Sequence, residues 1–389
     1  MRVAGLFAGI GGLEAGFSRA GLKASVFSEI WSPAEAVLTT RFPDVPNLGD
    51  VTGVRDLPAD VEVVTAGFPC QDLSQAGRTA GIGGTKSGLV DHVFRLVDAH
   101  RTPTVVLENV SFMLRLDRGS AMSRLVSAFE ERGYRWAYRV VNSLSYLPQR
   151  RERVFFVASR AVDPAEVLFA DEAIAPVKET SLTSHAHGFY WTEGVRGLGW
   201  GQDCVPTLKN GSTVGIPSPP AILLTNGDIV TPDIRDAERL QGFDADWTAA
   251  AERVGRRSLR WSLVGNAVTV DVAAWLGARL LAPGVHLPER DHALAGGKWP
   301  RAARFDGRRR TAVEISDFPE WRARPPLEQF LAFTPNLLSE RATAGFLSRI
   351  ERSTLRFVPG FREAVRRHLA RVRATDRLLA SAPMVAAAE

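Results

Sequence analysis

Cys70 stands directly after Pro69, at the exit of the apolar run Val61 to Ala66, and a thiol in that position can act as a nucleophile. The run reads as a buried strand, and beyond Cys70 comes a loop full of glycine from Gly77 to Gly88. Open α/β sheets place reacting groups at such strand exits. A free cysteine is equally a small core hydrophobe, so taken alone the residue leaves both readings open. Its neighbours come from elsewhere in the chain. Glu108 ends the next parallel strand, and such strands lie about 4.8 Å apart, so Cys70 and Glu108 can reach one small ring. Arg151 and Arg153 alternate on a later strand and are expected on one face, where they would hold an anionic or carbonyl-rich substrate and lower the thiol pKa. On an exposed edge the same pair would be solvent decoration. Gly9, Gly11 and Gly12 form a tight turn that lets a ligand approach the backbone, and Glu29, closing the second strand, can take a ribose hydroxyl pair. That pattern is not GxGxxG, and an ordinary tight turn has the same glycines.

The elements that must position these groups alternate. Strands are expected at Val3 to Phe7, Ala24 to Ser28, Val61 to Ala66 and Thr104 to Leu107, with helices at Leu13 to Ala20, Pro33 to Phe42, Leu89 to Ala99 and Ser120 to Glu131. The alternation predicts a parallel, doubly wound sheet. Strands near Tyr134 to Val141 and Val154 to Ala158 are expected to add an antiparallel pair at one edge. Residues 160 to 227, rich in Gly, Pro, Ser and Thr, read as a small β or irregular insert. Helical patterns return at Pro232 to Leu240, Asn266 to Leu281, Ser339 to Ile350 and Phe361 to Leu379.

The 389 residues carry a formal charge of +5, with 45% hydrophobic and 23% charged residues, which suits a globular protein with one large core. No apolar run spans a bilayer and no signal peptide is read at the N-terminus, so a cytoplasmic location without membrane contact is expected. Two cysteines, Cys70 and Cys204, exclude a disulfide framework and a four-cysteine zinc site, and no metal is expected. From Pro283 onward there are 19 basic and 12 acidic residues, an asymmetry that fits either a polyanionic partner or a solvated helical surface.

Taken together, these residues resemble the motifs of the DNA (cytosine-5) methyltransferase family. The matching stretches are Phe7-Ala-Gly-Ile-Gly-Gly12, Gly67-Phe-Pro-Cys-Gln71, Glu108-Asn109-Val110, Gln149-x-Arg151-x-Arg153, Arg239-Leu-Gln-Gly-Phe243 and Gly265-Asn266-Ala267-Val268, in the family's order. The resemblance covers residues 1 to 160 and 228 to 282. It implies a Rossmann-like S-adenosylmethionine-dependent fold, mostly parallel with an antiparallel edge strand. It also implies a catalytic domain 1–160 rejoined by 228–282, a target-recognition insert 161–227, and a basic, partly helical extension 283–389. The implied reaction is methylation of carbon 5 of a flipped-out cytosine in duplex DNA, in restriction–modification or phage defence, with S-adenosylhomocysteine as product and cognate restriction or defence proteins as partners. Cys70 would attack carbon 6, Glu108 would hold the ring, and Arg151 and Arg153 the base carbonyl and the catalytic loop Gln71 to Leu89. The cofactor residues carried over are Phe7, Gly9, Gly11, Gly12, Leu13, Glu29, Ile30, Asp50, Val51, Pro69, Asn266 and Ala267. Gln71, Ser74, Arg78 and Arg239 are expected against DNA. A transfer-RNA methyltransferase of the same fold and an inactive DNA-binding relative are the alternatives.

The interval for reading bases is short, with Tyr190, Trp191, Trp200, His185 and His187 as candidate contacts and core packing as the alternative for each. Cys204 is read as packing. Arg308, Arg309, Arg310, Arg322 and Arg324 are expected to extend the DNA surface by phosphate contact.

Overall fold

The computed structural model describes residues 1–68, 88–177, 181–210 and 219–381. The first strand, β1 (Arg2–Leu6), ends in the glycine turn and leads into helix α1 (Gly12–Ala20). Gly11, at φ 76°, caps the helix in a left-handed conformation that suits glycine, and Gly21 closes it at φ 102°. Strand β2 (Lys23–Ser28), helix α2 (Ser32–Arg41), strand β3 (Val61–Ala66), helix α3 (Leu89–His100), strand β4 (Thr104–Val110) and helix α4 (Ser120–Glu131) come next, as the hydrophobic pattern predicts. Strands β1 to β4 are parallel in the order β2-β1-β3-β4. Val3 and Val63 face one core layer while Ala4 and Val64 face the other, which is why the buried parts of β1 and β3 are apolar at consecutive positions.

The next strands are β5 (Arg135–Asn142), the short β6 (Gln149–Arg150) and β7 (Glu152–Ser159). Strand β7 runs antiparallel to both β4 and β5, so the expected antiparallel pair is there. The sheet does not end at β5, because the chain beyond residue 282 supplies further strands. The insert holds helix α5 (Pro164–Leu168) and strands β8 (His187–Phe189), β9 (Gly201–Gln202), β10 (Val205–Pro206), β11 (Ala221–Leu223) and β12 (Ile229–Thr231). Helices α6 (Ile234–Leu240), α7 (Leu259–Asn266) and α8 (Val270–Leu281) return to the main sheet. Helix α8 lies close on α1, since a Cβ at Gly16 would sit 2.4 Å from that of Ala273.

The tail is woven into both halves. Its strands β13 (Asp291–Ala293), β14 (Ala302–Phe305) and β15 (Arg310–Val313) complete a nine-stranded sheet, with β14 antiparallel to β5. After the short helix α9 (Leu327–Phe330), strand β16 (Asn336–Leu337) pairs with β12 in the five-stranded sheet of the insert. Helices α10 (Glu340–Glu351) and α11 (Phe361–Ser381) bury Phe346, Ile350, Phe361 and Val365 against Phe189, Ala221 and Ile229. No helix among the described residues is long and apolar enough to cross a membrane.

Candidate active site

A cavity of about 570 Å³ opens at the C-terminal ends of the parallel strands. Phe7, Gly9, Gly12, Leu13, Glu29, Ile30, Asp50, Val51, Asn266 and Ala267 line it together with Glu108 and Arg153. Pro69, Cys70, Gln71, Ser74 and Arg78, with most of the expected loop Gln71 to Leu89, lie outside the described residues. Gly11 is set back from the cavity, and its Cβ position lies 2.6 Å from the Phe42 ring.

The acids around the cavity differ in what already holds them. Glu29 Oε2 accepts the Gly9 amide at 2.8 Å, and Oε1 accepts those of Ile30 and Trp31 at 2.9 and 2.8 Å. These bonds fix the carboxylate at the tip of β2 beside the glycine turn. Asp50 accepts the Thr52 amide at 2.8 Å, which holds its pKa below the usual value. Ile30 is 68% exposed at the rim, an apolar side chain with room for a flat ring above it.

Glu108 is buried and also lines the cavity. Its Oε1 lies 3.1 Å from Arg153 Nε, yet among the described residues that buried oxygen makes no aligned hydrogen bond. Burial pushes the carboxyl pKa up, and the positive charges of Arg153 and Arg151 pull part of it back. Asn109 Nδ2 donates to the Phe68 carbonyl at 2.9 Å, tying the exit of β4 to the chain two residues before Cys70. The sheet register sets Ala66 beside Leu107, so β3 ends and the Cys70 segment begins next to Glu108, which stays in β4 and pairs with Phe155 of β7.

Arg151 departs from expectation. It sits between β6 and β7, where the strand is broken, so two-residue alternation does not put it on the face of Arg153. Its guanidinium is buried and donates to the carbonyls of Leu208 (3.1 Å), Gly265 (3.2 Å) and Ala267 (2.6 Å). Gln149 works beside it, accepting the Leu208 amide at 2.9 Å and donating to the Leu240 carbonyl at 2.8 Å. Arg151 therefore braces the Asn266–Ala267 wall from behind instead of reaching into the cavity. Arg151→Lys keeps the charge but loses the fork that spans three carbonyls, leaving buried acceptors unpaired. Chemical denaturation should show a loss of about 2–4 kcal/mol. A stability equal to the wild type would remove the brace.

Other expected contacts are also committed internally. Arg239 bonds Asp236 Oδ1 and the Phe330 carbonyl, both at 2.6 Å, and lies over the Phe330 ring. It clamps the tail instead of presenting itself to DNA. Tyr190 is buried and donates to the Thr207 carbonyl, and His187 is buried against Trp200 with ring centroids 4.8 Å apart. Trp191 Nε1 donates to the Pro219 carbonyl at 3.1 Å, and Trp200 packs on Phe361. The packing alternative holds for these four. Cys204 is buried, as expected. Of the tail arginines, Arg310 pairs with Glu130, Arg322 with Asp271, and Arg324 with the buried Asp203. Arg309 is exposed, 3.8 Å from Asp306, and Arg308 is exposed as well.

The sequence reading missed Glu14, a carboxyl on the inner face of α1 at the cavity floor. A charge flanked by Leu13 and Phe17 on a buried helical face was the available signal. It also missed Asn210 on the cavity wall, and it quoted Asn109 only as part of the Glu108-Asn109-Val110 stretch without giving it a role.

The glycine turn, the acid-tipped second strand and the buried Glu108 line one cavity on a mixed sheet, the arrangement that the resemblance to Rossmann-like methyltransferases led one to expect. The family model for C-5 cytosine-specific DNA methylases matches residues 1–191. Type II methyltransferase M2.BsuMI of Bacillus subtilis (strain 168) is 44% identical over 367 residues, which is 91% of this chain and 94% of that protein. Type II methyltransferase M.HaeII of Haemophilus aegyptius is 35% identical over 39% of this chain and 48% of its own length. The crystal structure of S. pombe Dnmt2 methyltransferase shares the fold with a TM-score of 0.53 at 16% identity, covering 72% of this chain and 98% of that one. The chain belongs to the C-5 cytosine-specific DNA methylase family.

Proposed function

We propose that this DNA cytosine-5 methyltransferase modifies a cytosine flipped out of a specific duplex sequence, through a covalent adduct of Cys70, as the modification arm of a restriction–modification system. The observation that carries the reading is the buried, unaligned Glu108 oxygen next to Arg153, in the cavity that the glycine turn also lines. Carbon 5 of cytosine is a weak nucleophile. Addition of the Cys70 thiolate at carbon 6 raises its electron density, and elimination of the thiolate with loss of the carbon 5 proton restores the ring. Glu108 binds the ring nitrogen and exocyclic amine, with burial favouring the protonated form that can donate to the nitrogen. Arg153, which lines the cavity, would hold the base carbonyl.

The cavity fits S-adenosylmethionine on three grounds. Its volume lies within the usual range for small-ligand sites, roughly 300–1,000 Å³. The N-terminus of α1 offers backbone amides to a carboxylate. Glu29 stands fixed where a ribose diol needs an acceptor. Phe7, Gly9, Gly12, Leu13, Glu29, Ile30, Asp50, Val51, Asn266 and Ala267 would hold the cofactor, which supplies an electrophilic methyl on a sulfonium. Extruding the base costs a few kcal/mol, so the target should react faster when mispaired.

A duplex with 5-fluorocytosine at the target should trap a denaturation-resistant complex, since fluorine cannot leave carbon 5 as a proton does, and peptide mapping should place the bond on Cys70. Bisulfite sequencing of DNA from cells expressing the chain would supply the target sequence. Modification of RNA with none of DNA, or no adduct on a sequence the protein demonstrably methylates, would overturn the reading.

A further inference from the structure

We infer that Glu14 is the carboxylate that receives the ammonium group at the amino-acid end of the cofactor. This rests on the proposed cofactor site and adds a residue to it. Glu14 lies in the first turn of α1, 2% exposed, on the floor of the cavity. Its Oε1 accepts from Thr65 Oγ1 at 2.7 Å, while among the described residues the buried Oε2 has no hydrogen-bond partner. Space for the carboxyl exists because β1 carries Gly5 at that point, where a Cβ would sit 2.5 Å from Glu14 Oε1. A buried carboxyl oxygen left without a donor is expensive, and such groups call for an explanation.

The ligand's chemistry supplies one. The amino-acid end is a zwitterion, and the α1 amides suit its carboxylate, which leaves the ammonium needing an anion close by. Among the described residues, four acids line the cavity: Glu14, Glu29, Asp50 and Glu108. Glu29 already accepts three amides and is assigned to the ribose diol, Asp50 is bound to Thr52 at the rim, and Glu108 faces Arg153. Only Glu14 combines burial, a position in the first turn of α1 and an oxygen without a donor. Strands β1 and β3 face it with Gly5 and Thr65, neither of which titrates. Burial lifts its pKa to about 7, so near neutrality the carboxyl of the free protein holds its proton part of the time. Binding an ammonium ionises it, and that proton passes to the buffer.

Calorimetry with two non-reacting probes tests the assignment. S-adenosylhomocysteine carries the ammonium, and 5′-methylthioadenosine lacks the whole amino-acid end. Glu14→Gln should weaken S-adenosylhomocysteine by about 10- to 100-fold, the range for a hydrogen bond to a charged group, and leave methylthioadenosine unchanged. Glu14→Asp should fall between. The wild type alone gives a second reading: at pH 6 to 6.5, titrations in buffers of different ionisation enthalpy should show proton release with S-adenosylhomocysteine and none with methylthioadenosine. Unchanged affinity, an equal loss on both probes, or no difference in proton release overturns the inference while leaving the cofactor site in place. A wild type that binds neither probe overturns the cofactor reading and this residue's role with it.

Discussion

Ending the chain after Ala282 should yield a protein that does not fold, with any loss of DNA binding secondary to that. Strand β5 loses its neighbour β14 and the acceptors that satisfy it: Val140 N–H donates to the Arg301 carbonyl at 2.8 Å and Asn142 N–H to that of Asp317 at 2.9 Å. Arg139 is fully buried and donates to the Ser316 carbonyl from Nε at 2.9 Å and from Nη2 at 2.7 Å. Burial draws its pKa down to about 10, a sign of how little water reaches it. Removing Ser316 strands part of an arginine in the core. In the insert, Phe346, Ile350, Phe361 and Val365 leave a shared apolar cluster. At about 1.5–3 kcal/mol each their burial is worth on the order of 6–12 kcal/mol, comparable to the whole stability of a typical domain at about 5–15 kcal/mol. Expression of residues 1–282 should give aggregate without a cooperative thermal transition. A soluble product that melts cooperatively would refute this account. Phosphate contact by the tail is better tested through the exposed Arg308 and Arg309, which hold up little of the fold.

How far the sequence showed this depends on how local each feature is. Strands β1, β3 and β4 are largely buried on both faces, so their apolar residues announce them; the end of β2 places Glu29, and the point in β4 level with the end of β3 places Glu108, although β4 runs on to Val110. Those two carboxylates and the glycine turn were legible because a strand terminus fixes direction. Arg151 was misplaced because alternation holds only inside an unbroken strand, and its segment is interrupted at that residue. Tyr190, Trp191, Trp200 and His187 were open between base contact and packing; Trp191 and Trp200 are partly buried on a cluster that includes Phe361, more than 150 residues away. The pairing of β14 with β5 likewise joins segments far apart in the chain, and no local pattern in the basic, proline-broken stretch from Arg301 to Pro326 announces it. Long-range pairing conceals itself from periodicity, whereas caps and strand ends do not.

Glu108→Gln should lower kcat/KM by about 10²- to 10⁴-fold, the usual contribution of a positioned acid or base. The amide is nearly isosteric and keeps a donor, so the cavity, the fold and the affinity for S-adenosylhomocysteine should survive. What it loses is the capacity to neutralise charge on the ring nitrogen as the thiolate adds. The pH dependence separates this from a packing effect. Burial raises the Glu108 pKa above its ordinary 4.5, with Arg153 and then Arg151 opposing. A raised native value means the neutral form is favoured by folding, so stability from this group is complete below pH 4.5 and is lost as pH rises through the native pKa. Turnover that needs the proton on Glu108 falls as pH rises past the native pKa, where the decline in stability levels off, giving kcat/KM an alkaline limb. The amide does not titrate, so the residual activity of Glu108→Gln should lack that limb, and its stability should lose the matching decline. Stopped-flow methylation and denaturant melts across pH 5 to 9 would measure both. A variant with wild-type kcat/KM, or one that is slow but keeps the limb, would assign the proton to another group and leave Glu108 as a wall of the pocket.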